Sequence, residues 1–240
     1  MSNVRTLFEK LKPVKLYTYF NDVPGISPFD SYKLILLWME HWKAVGFEPF
    51  VLTEWHASQH PMYEKFYAVV SKFPSVNPPE YERACWIRWL AFSAMGGGHM
   101  CDYDVFPVAL NELKTIDLPL FSVPDMRRVQ ILQGSCCCPS YVAAWSHGIN
   151  ELCELFMTGR YGRKDQGGRA HQSDMYAIEQ LVIEGNPIIQ RHNTVVGYGD
   201  DGWEKSPAVH FSNGSMQPKG LTPRWQCIPS LIDEARNKQP

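Results

Sequence analysis

The sequence predicts an α/β fold in which a mostly parallel, twisted sheet is covered by helices. The chain opens with a β-branched and aromatic run at residues 14–20, an apolar repeat of helical spacing at 30–45, and a second strand-like run at 48–53. Strand–helix–strand order favours parallel strands joined by a crossover helix. With 240 residues, of which 45% are hydrophobic, the chain is expected to form one domain over residues 1–240.

Further elements follow from the same patterns. Residues 80–95 carry apolar side chains nearly all round a helix, which predicts a buried helix that ends at the glycine run 96–98. Pro, Gly and Asn are frequent from residue 186 onward, which predicts short strands and ordered loops there. The other expected elements are helices at 61–72, 140–157 and 173–184 and strands near 120–123 and 129–132.

Composition and charge narrow the class of protein. The formal net charge of −2 gives no electrostatic reason to expect a nucleic-acid partner. No run of about 18 apolar residues occurs, so no transmembrane helix is expected. Residues 1–13 are too polar for a secretory signal. The seven cysteines, three of them adjacent at 136–138, fit reduced thiols and a cytoplasmic location better than a disulfide framework.

Two carboxylates separated by one residue, Asp102 and Asp104, are the strongest chemical signal. At a strand end that enters a turn, such side chains can converge on one cation. Hard oxygen ligands suit Mn²⁺ or Mg²⁺. By itself the pattern is also typical of a solvated turn. Here it follows a buried helix that carries Arg88 and then a glycine run, which is a much more restrictive context and favours a metal site.

This segment, from Arg88 through Gly-Gly-Gly-His-Met-Cys to Asp102-Tyr-Asp104-Val, resembles glycosyltransferase family 32 over about residues 80–107. The resemblance implies a GT-A type (Rossmann-like) fold, a nucleotide-sugar donor and a divalent metal. It implies that Asp104 is the main metal ligand, that Asp102 bridges the metal and the donor ribose or sugar, and that Arg88 faces the donor sugar. The Ser-Asp that precedes the arginine in that family is absent, so an acidic contact with the sugar is missing or comes from elsewhere.

A histidine near the C-terminus would complete the metal site. His210 ends an apolar run, and imidazole is a common Mn²⁺ ligand. The segment from His210 to Lys219 resembles the His-x-x-Gly-x-x-Lys motif of the glycogenin-like family 8. That resemblance implies a metal-binding His210 and a phosphate-binding Lys219, although the lysine comes two residues later than in the motif.

Asp174 opens a predicted helix, where it or Ser173 fits a helix N-cap. It also resembles the aspartate that opens the Asp-Gln-x-x-x-Asn helix near the acceptor site of related transferases. The resemblance implies a general base in an inverting enzyme, or a positioning group in a retaining one. Arg88 has an equally simple alternative, an ion pair at a helix surface.

The end of the first predicted strand is a candidate nucleotide site, because ligands of α/β sheets bind at the carboxyl ends of strands. An aromatic side chain there could stack on the base, and Asn21 could reach the base or ribose. β-Propensity explains the tyrosines equally well. The residues assigned to this site are Tyr17, Thr18, Tyr19 and Asn21.

The sequence therefore predicts a transferase that moves a sugar from a nucleotide diphosphate, UDP before GDP, to a glycan or other hydroxyl acceptor, with retention favoured. Residues 14–107 would bind the donor and 108–240 the acceptor. One alternative is a haloacid-dehalogenase-like phosphatase, which Asp102-Tyr-Asp104-Val and Gly199-Asp200-Asp201 resemble, although its first motif normally follows an apolar strand near the N-terminus. The other is a carbohydrate-binding module without turnover.

Overall fold

A mixed central sheet organises the protein in a computed structural model, which describes residues 14–23, 25, 28–109, 128–133, 139–164 and 167–238. Within these residues eight strands join in the order β2-β1-β3-β6-β5-β9-β10-β4. Four neighbouring pairs are parallel and three are antiparallel. The expected α/β class with a mostly parallel sheet is thus confirmed. The strands are β1 Lys15–Tyr19, β2 Glu48–Leu52, β3 Gly97–Cys101, β4 Val105–Pro107, β5 Val129–Gln133, β6 Tyr141–Trp145, β9 Ile189–Gly197 and β10 Ala208–His210, with β7 Arg163–Lys164 and β8 Ala170–His171 in a separate hairpin.

Helices surround this sheet. Among the described residues, no helix is long and apolar enough to cross a bilayer. The helices are α1 Pro28–Ala44, α2 Glu54–Ser58, α3 Tyr63–Val70, α4 Pro79–Ala94, α5 Ser146–Met157, α6 Asp174–Ile183, α7 Asn213–Met216 and α8 Arg224–Asn237, with short 3₁₀ turns at Trp203–Lys205 and Gln217–Lys219.

Both faces of the sheet are covered. Along β1, Leu16 packs into one hydrophobic cluster and Tyr17 into the other, as the two-residue period of a strand requires. The cluster around Tyr17 contains apolar side chains of α4, α5 and α6, and the cluster around Leu16 contains those of α1 and α8. The expectation that α4 is largely buried is confirmed for its second half, where Trp86, Trp89 and Phe92 are each at most 1% exposed, whereas Tyr81 in the first turn is 42% exposed.

Two expectations about the C-terminal half were wrong. Residues 140–157 do not form one helix, because Tyr141–Trp145 is strand β6 and only Ser146–Met157 is helical. A strand buried on both faces has a continuous apolar sequence, and so does a buried helix. Only the pairing of these residues with β3 and β5 identifies them as a strand. The region after residue 186 also ends in a long helix, Arg224–Asn237, rather than in loops. The expected strand at 120–123 and Cys136–Cys138 lie outside the described residues.

The glycine run after α4 places the aspartate pair. Gly97 has a φ of +82°, and a Cβ added there would lie 2.1 Å from the Ala144 carbonyl oxygen, so β3 and β6 approach each other closely only with glycine. Strand β3 then ends at Cys101. The Asp102 amide donates to the Ser140 carbonyl (2.8 Å), and the Val105 amide donates back to the Asp102 carbonyl (3.0 Å). Asp102 and Asp104 therefore lie in a tight turn at the end of a central strand.

Candidate metal centre

The predicted metal ligands meet in space. Asp102 and Asp104 lie in the turn between β3 and β4, and His210 ends β10, where it is paired in register with Val105. The Phe211 amide donates to the Asp104 carbonyl (2.8 Å), which fixes the two segments against each other. One ligand atom from each of the three side chains lies within 4.8 Å of the other two. The sheet thus joins residues more than a hundred positions apart.

Asp104 is held through both of its carboxylate oxygens. His210 Nε2 lies 3.2 Å from Oδ1, and Arg224 Nη1 lies 2.5 Å from Oδ2. The same Arg224 nitrogen donates to the Phe211 carbonyl at 2.9 Å. The three charged or polar side chains are only 11–14% exposed. Sequence reasoning missed Arg224, because it treated the region as loops. The available signal was Pro223, which directly precedes α8.

Asp102 belongs to a second, connected network. Arg88 Nη1 donates to Asp102 Oδ1 (2.8 Å), while its Nη2 and Nε donate to Asp174 Oδ2 at 2.6 and 3.1 Å. Trp89 Nε1 donates to the same Asp174 oxygen at 2.9 Å. Arg88 and Asp174 are 12% and 5% exposed. Arg88 does form an ion pair, but in a nearly buried position beside the candidate metal ligands rather than on a helix surface.

The two aspartates differ in their pKa values. Burial raises the pKa of Asp102 to about 6, and the Arg88 guanidinium only partly offsets this. Burial acts in the same direction on Asp104, but His210 and Arg224 outweigh it and hold the pKa of that carboxyl well below its usual range. Asp104 is therefore anionic over the whole physiological pH range, which makes it the better candidate of the two for a cation ligand.

A cleft with a volume of about 150 Å³ opens beside these side chains. Asp22 and the aspartate pair make its wall acidic, and Arg88 supplies a positive charge. The lining residues are Tyr19, Phe20, Asn21, Asp22, Val23, Ser31, Tyr81, Ala84, Cys85, Arg88, Asp102, Tyr103 and Asp104.

The predicted nucleotide residues divide into two groups. Tyr19 and Asn21 line the cleft, whereas Tyr17 and Thr18 do not. Tyr17 is 4% exposed and packs edge-on against Phe92, and Thr18 is fully buried. Asn21 Nδ2 donates to Glu54 at 3.1 Å, which orients the amide and leaves Oδ1 and the second N–H for a ligand. Only the end of β1 reaches the cleft.

Two other motifs lie away from the cleft lining. Lys219 Nζ lies 4.5 Å over the ring of Tyr198. In the acidic pair of the phosphatase alternative, Asp200 Oδ2 accepts from the Gly197 amide (2.9 Å), so it caps a turn after β9. The N-cap interpretation at α6 is supported by the Ser173 side chain, which accepts from the Tyr176 amide at 3.2 Å.

The donor set fits a hard divalent cation. Two carboxylates and one imidazole are ligands that Mn²⁺ accepts, and Mg²⁺ accepts the carboxylates readily. Arg224 takes one Asp104 oxygen, which leaves Oδ1 facing His210. Arg88 contacts Oδ1 of Asp102. The three side chains could therefore hold a cation without breaking either arginine contact.

The chain belongs to a family described as a domain of unknown function (DUF8765), which matches residues 6–137, more than half of its 240 residues. No curated protein and no solved structure matches the chain. The matched segment contains Arg88, Asp102 and Asp104, and it ends before Asp174 and His210.

Proposed function

We propose that the protein is a metal-dependent glycosyltransferase that moves a sugar from a nucleotide diphosphate to a hydroxyl group of a glycan or other acceptor. The observation that carries this proposal is the convergence of Asp102, Asp104 and His210 within 4.8 Å, with the two aspartates lining a cleft. The resemblance of the Asp-x-Asp segment to family 32, which implies a GT-A type fold, supplies the choice of reaction.

The metal chemistry fits the leaving group. A divalent cation, when bound, stabilises the negative charge that develops on a diphosphate as its bond to the sugar breaks. Asp104 Oδ1 and His210 Nε2, 3.2 Å apart, would hold it together with Asp102. The acidic wall of the cleft repels a free diphosphate, so these residues would bind the nucleotide as its metal complex.

Arg88 would contact the donor sugar. It lines the cleft, and Asp174 fixes two of its nitrogens. Asp174 itself is buried, and one of its oxygens already accepts three hydrogen bonds. This environment supports a positioning role for Asp174 over that of a general base that must touch the acceptor hydroxyl.

The nucleotide would lie at the end of β1. Tyr19 offers a ring for stacking, and Asn21, oriented by Glu54, offers Oδ1 as a hydrogen-bond acceptor. An acceptor at that point matches the N3–H donor of uracil in a UDP donor and equally the N1–H donor of guanine in a GDP donor. Lys219 would reach a phosphate only by leaving the Tyr198 ring, so its phosphate role has less support than the metal site.

Thermal unfolding with UDP, GDP, CMP or ADP, each with and without Mn²⁺, tests the proposal. A ligand at a hundred times its dissociation constant adds roughly 2.7 kcal/mol of stability, which gives a clear shift. We expect one nucleotide to stabilise the protein only in the presence of Mn²⁺. Asp104→Ala should abolish this shift, and Asp201→Ala, which removes an exposed aspartate outside the cleft lining, should keep it.

If no nucleotide acts together with Mn²⁺, the transferase proposal fails. Phosphatase assays on the same samples would then test the remaining enzymatic alternative. A metal-independent shift that survives Asp104→Ala would show a nucleotide site without the proposed metal.

A further inference from the structure

We propose that Arg224 is a positioning residue that determines which oxygen of Asp104 a cation reaches. The inference rests on the metal site of the proposed function and adds to it a residue from the C-terminal helix. Arg224 Nη1 binds Asp104 Oδ2, and the opposite oxygen, Oδ1, faces His210 Nε2. Asp104 is thereby turned so that it offers the cation one oxygen, on the side of the histidine.

Arg224 is itself held firmly enough to do this. The nitrogen that contacts Asp104 also donates to the Phe211 carbonyl at 2.9 Å, and the side chain is only 14% exposed. The next residue anchors the first turn of α8 to α1, because Trp225 Nε1 donates to Asp30 Oδ1 at 3.2 Å and Lys33 Nζ lies 3.7 Å over the Trp225 ring. The backbone that carries Arg224 and the two acceptors of its guanidinium are therefore held in place.

Two effects of Arg224 on cation binding have opposite signs. Its positive charge repels a cation, so removing that charge should tighten binding if charge were its whole role. Its hydrogen bond orients a ligand, and the loss of such a supporting partner commonly weakens metal binding by about 10–100-fold. The geometry points to the second effect as the dominant one, because without Arg224 the Asp104 carboxylate can rotate away from His210.

Titration with Mn²⁺ alone, followed by the electron paramagnetic resonance signal of free Mn²⁺, separates the two effects. We compare the whole wild-type chain with Arg224→Met, which removes the donor and the charge, and Arg224→Lys, which keeps the charge and a nitrogen able to make both bonds. Arg236→Met is the matched control, because Arg236 lies on the same helix and donates to the Val108 and Pro107 carbonyls, away from the cleft.

We expect Arg224→Met to weaken Mn²⁺ binding by about tenfold or more, Arg224→Lys to recover most of that loss, and Arg236→Met to leave binding within about twofold of wild type. If Arg224→Met binds Mn²⁺ equally well or more tightly, the positioning role is overturned while the metal site stands. If wild type does not bind Mn²⁺, the metal site of the proposed function fails instead.

Thermal unfolding of each variant shows whether it folds. Should Arg224→Met fail to fold, Arg224→Gln takes its place, because it keeps an N–H donor and removes the charge. The positioning role predicts weaker Mn²⁺ binding in Arg224→Gln than in wild type, since the shorter amide cannot reach both acceptors. Tighter binding in that variant would overturn the proposal.

Discussion

Asp102 and Asp104 are two residues apart in one turn, yet their surroundings differ. Asp102 is bound by Arg88 and has its pKa raised to about 6 by burial, whereas Asp104 is bound by His210 and Arg224, and its pKa is well below the usual range. The difference arises because one side chain faces α4 and the other faces β10 and α8. Two aspartates of the same motif can therefore differ in ionisation at the same pH.

Each aspartate belongs to one side of the cleft. We define the α4 side as Asp102, Arg88, Trp89 and Asp174, and the α8 side as Asp104, His210 and Arg224. On the α4 side, Asp174 Oδ2 accepts three hydrogen bonds from the nearly buried Arg88 and Trp89 side chains, so this side stabilises the fold. On the α8 side, Asp104 Oδ1 and His210 Nε2 lie 3.2 Å apart, and these are the atoms through which this side would hold the proposed cation. The two sides should respond differently to mutation.

The largest effect on stability is expected at Asp174. Asp174→Ala leaves Arg88 and the Trp89 indole without their main acceptor, and removing one partner of a buried ion pair costs about 3–5 kcal/mol. Urea unfolding measures this loss. Glu179→Ala is the control on the same helix, because its pair with Arg163 is 39–53% exposed and should contribute at most about 1 kcal/mol. Similar losses in both variants would remove the distinction between buried and exposed pairs.

A third carboxylate, Glu82 on α4, shows how burial changes a pKa outside the candidate metal site. Burial raises the pKa of Glu82 from 4.5 to about 7, although Asn77 donates a hydrogen bond to it (2.8 Å) and lowers the pKa in part. The folded protein thus holds a proton that the unfolded chain has lost, so stability should fall as the pH rises from about 4.5 to 7.

Glu82→Gln removes that titration and keeps an acceptor for Asn77. It should be similar to wild type near pH 4.5 and more stable at pH 8, by a margin on the order of 3 kcal/mol. Urea unfolding at several pH values measures the difference between the two proteins, which cancels the titration of groups distant from Glu82. A difference that does not change with pH would show that Glu82 is ionised throughout.

The smallest effect on stability, and a large one on binding, is expected at His210. His210→Ala removes the proposed cation ligand from the α8 side, so Mn²⁺ affinity should fall by about tenfold or more. Because Asp104 keeps its contact with Arg224, the free energy of unfolding should change by less than about 2 kcal/mol. Calorimetric titration and urea unfolding give the two numbers. His147→Ala, at an exposed position on α5, should change neither. A His210→Ala protein that binds Mn²⁺ as well as wild type would exclude the histidine as a ligand.

The first half of the fold could be predicted from the sequence more easily than the second half. Leu34, Trp38 and Trp42 recur at the spacing of a helix, and all three are buried, so α1 follows from local order. The region that forms β6 is apolar at nearly every position, so its spacing does not separate strand from helix. Its identity depends on hydrogen bonds with β3 and β5, which are distant in the chain.

The sequence by itself determined the strand–helix–strand opening, the Asp102-x-Asp104 pair in its glycine-rich context, and His210 as a third ligand candidate. These depend on short-range spacing and on the chemistry of single residue types. Only the tertiary structure decided that Arg88 binds both Asp102 and Asp174, the latter 86 residues after Arg88 in the chain. It alone also decided that Arg224 binds Asp104, which lies 120 residues before it. Such contacts depend on how the helices pack on both faces of the sheet, so short-range sequence patterns do not predict them.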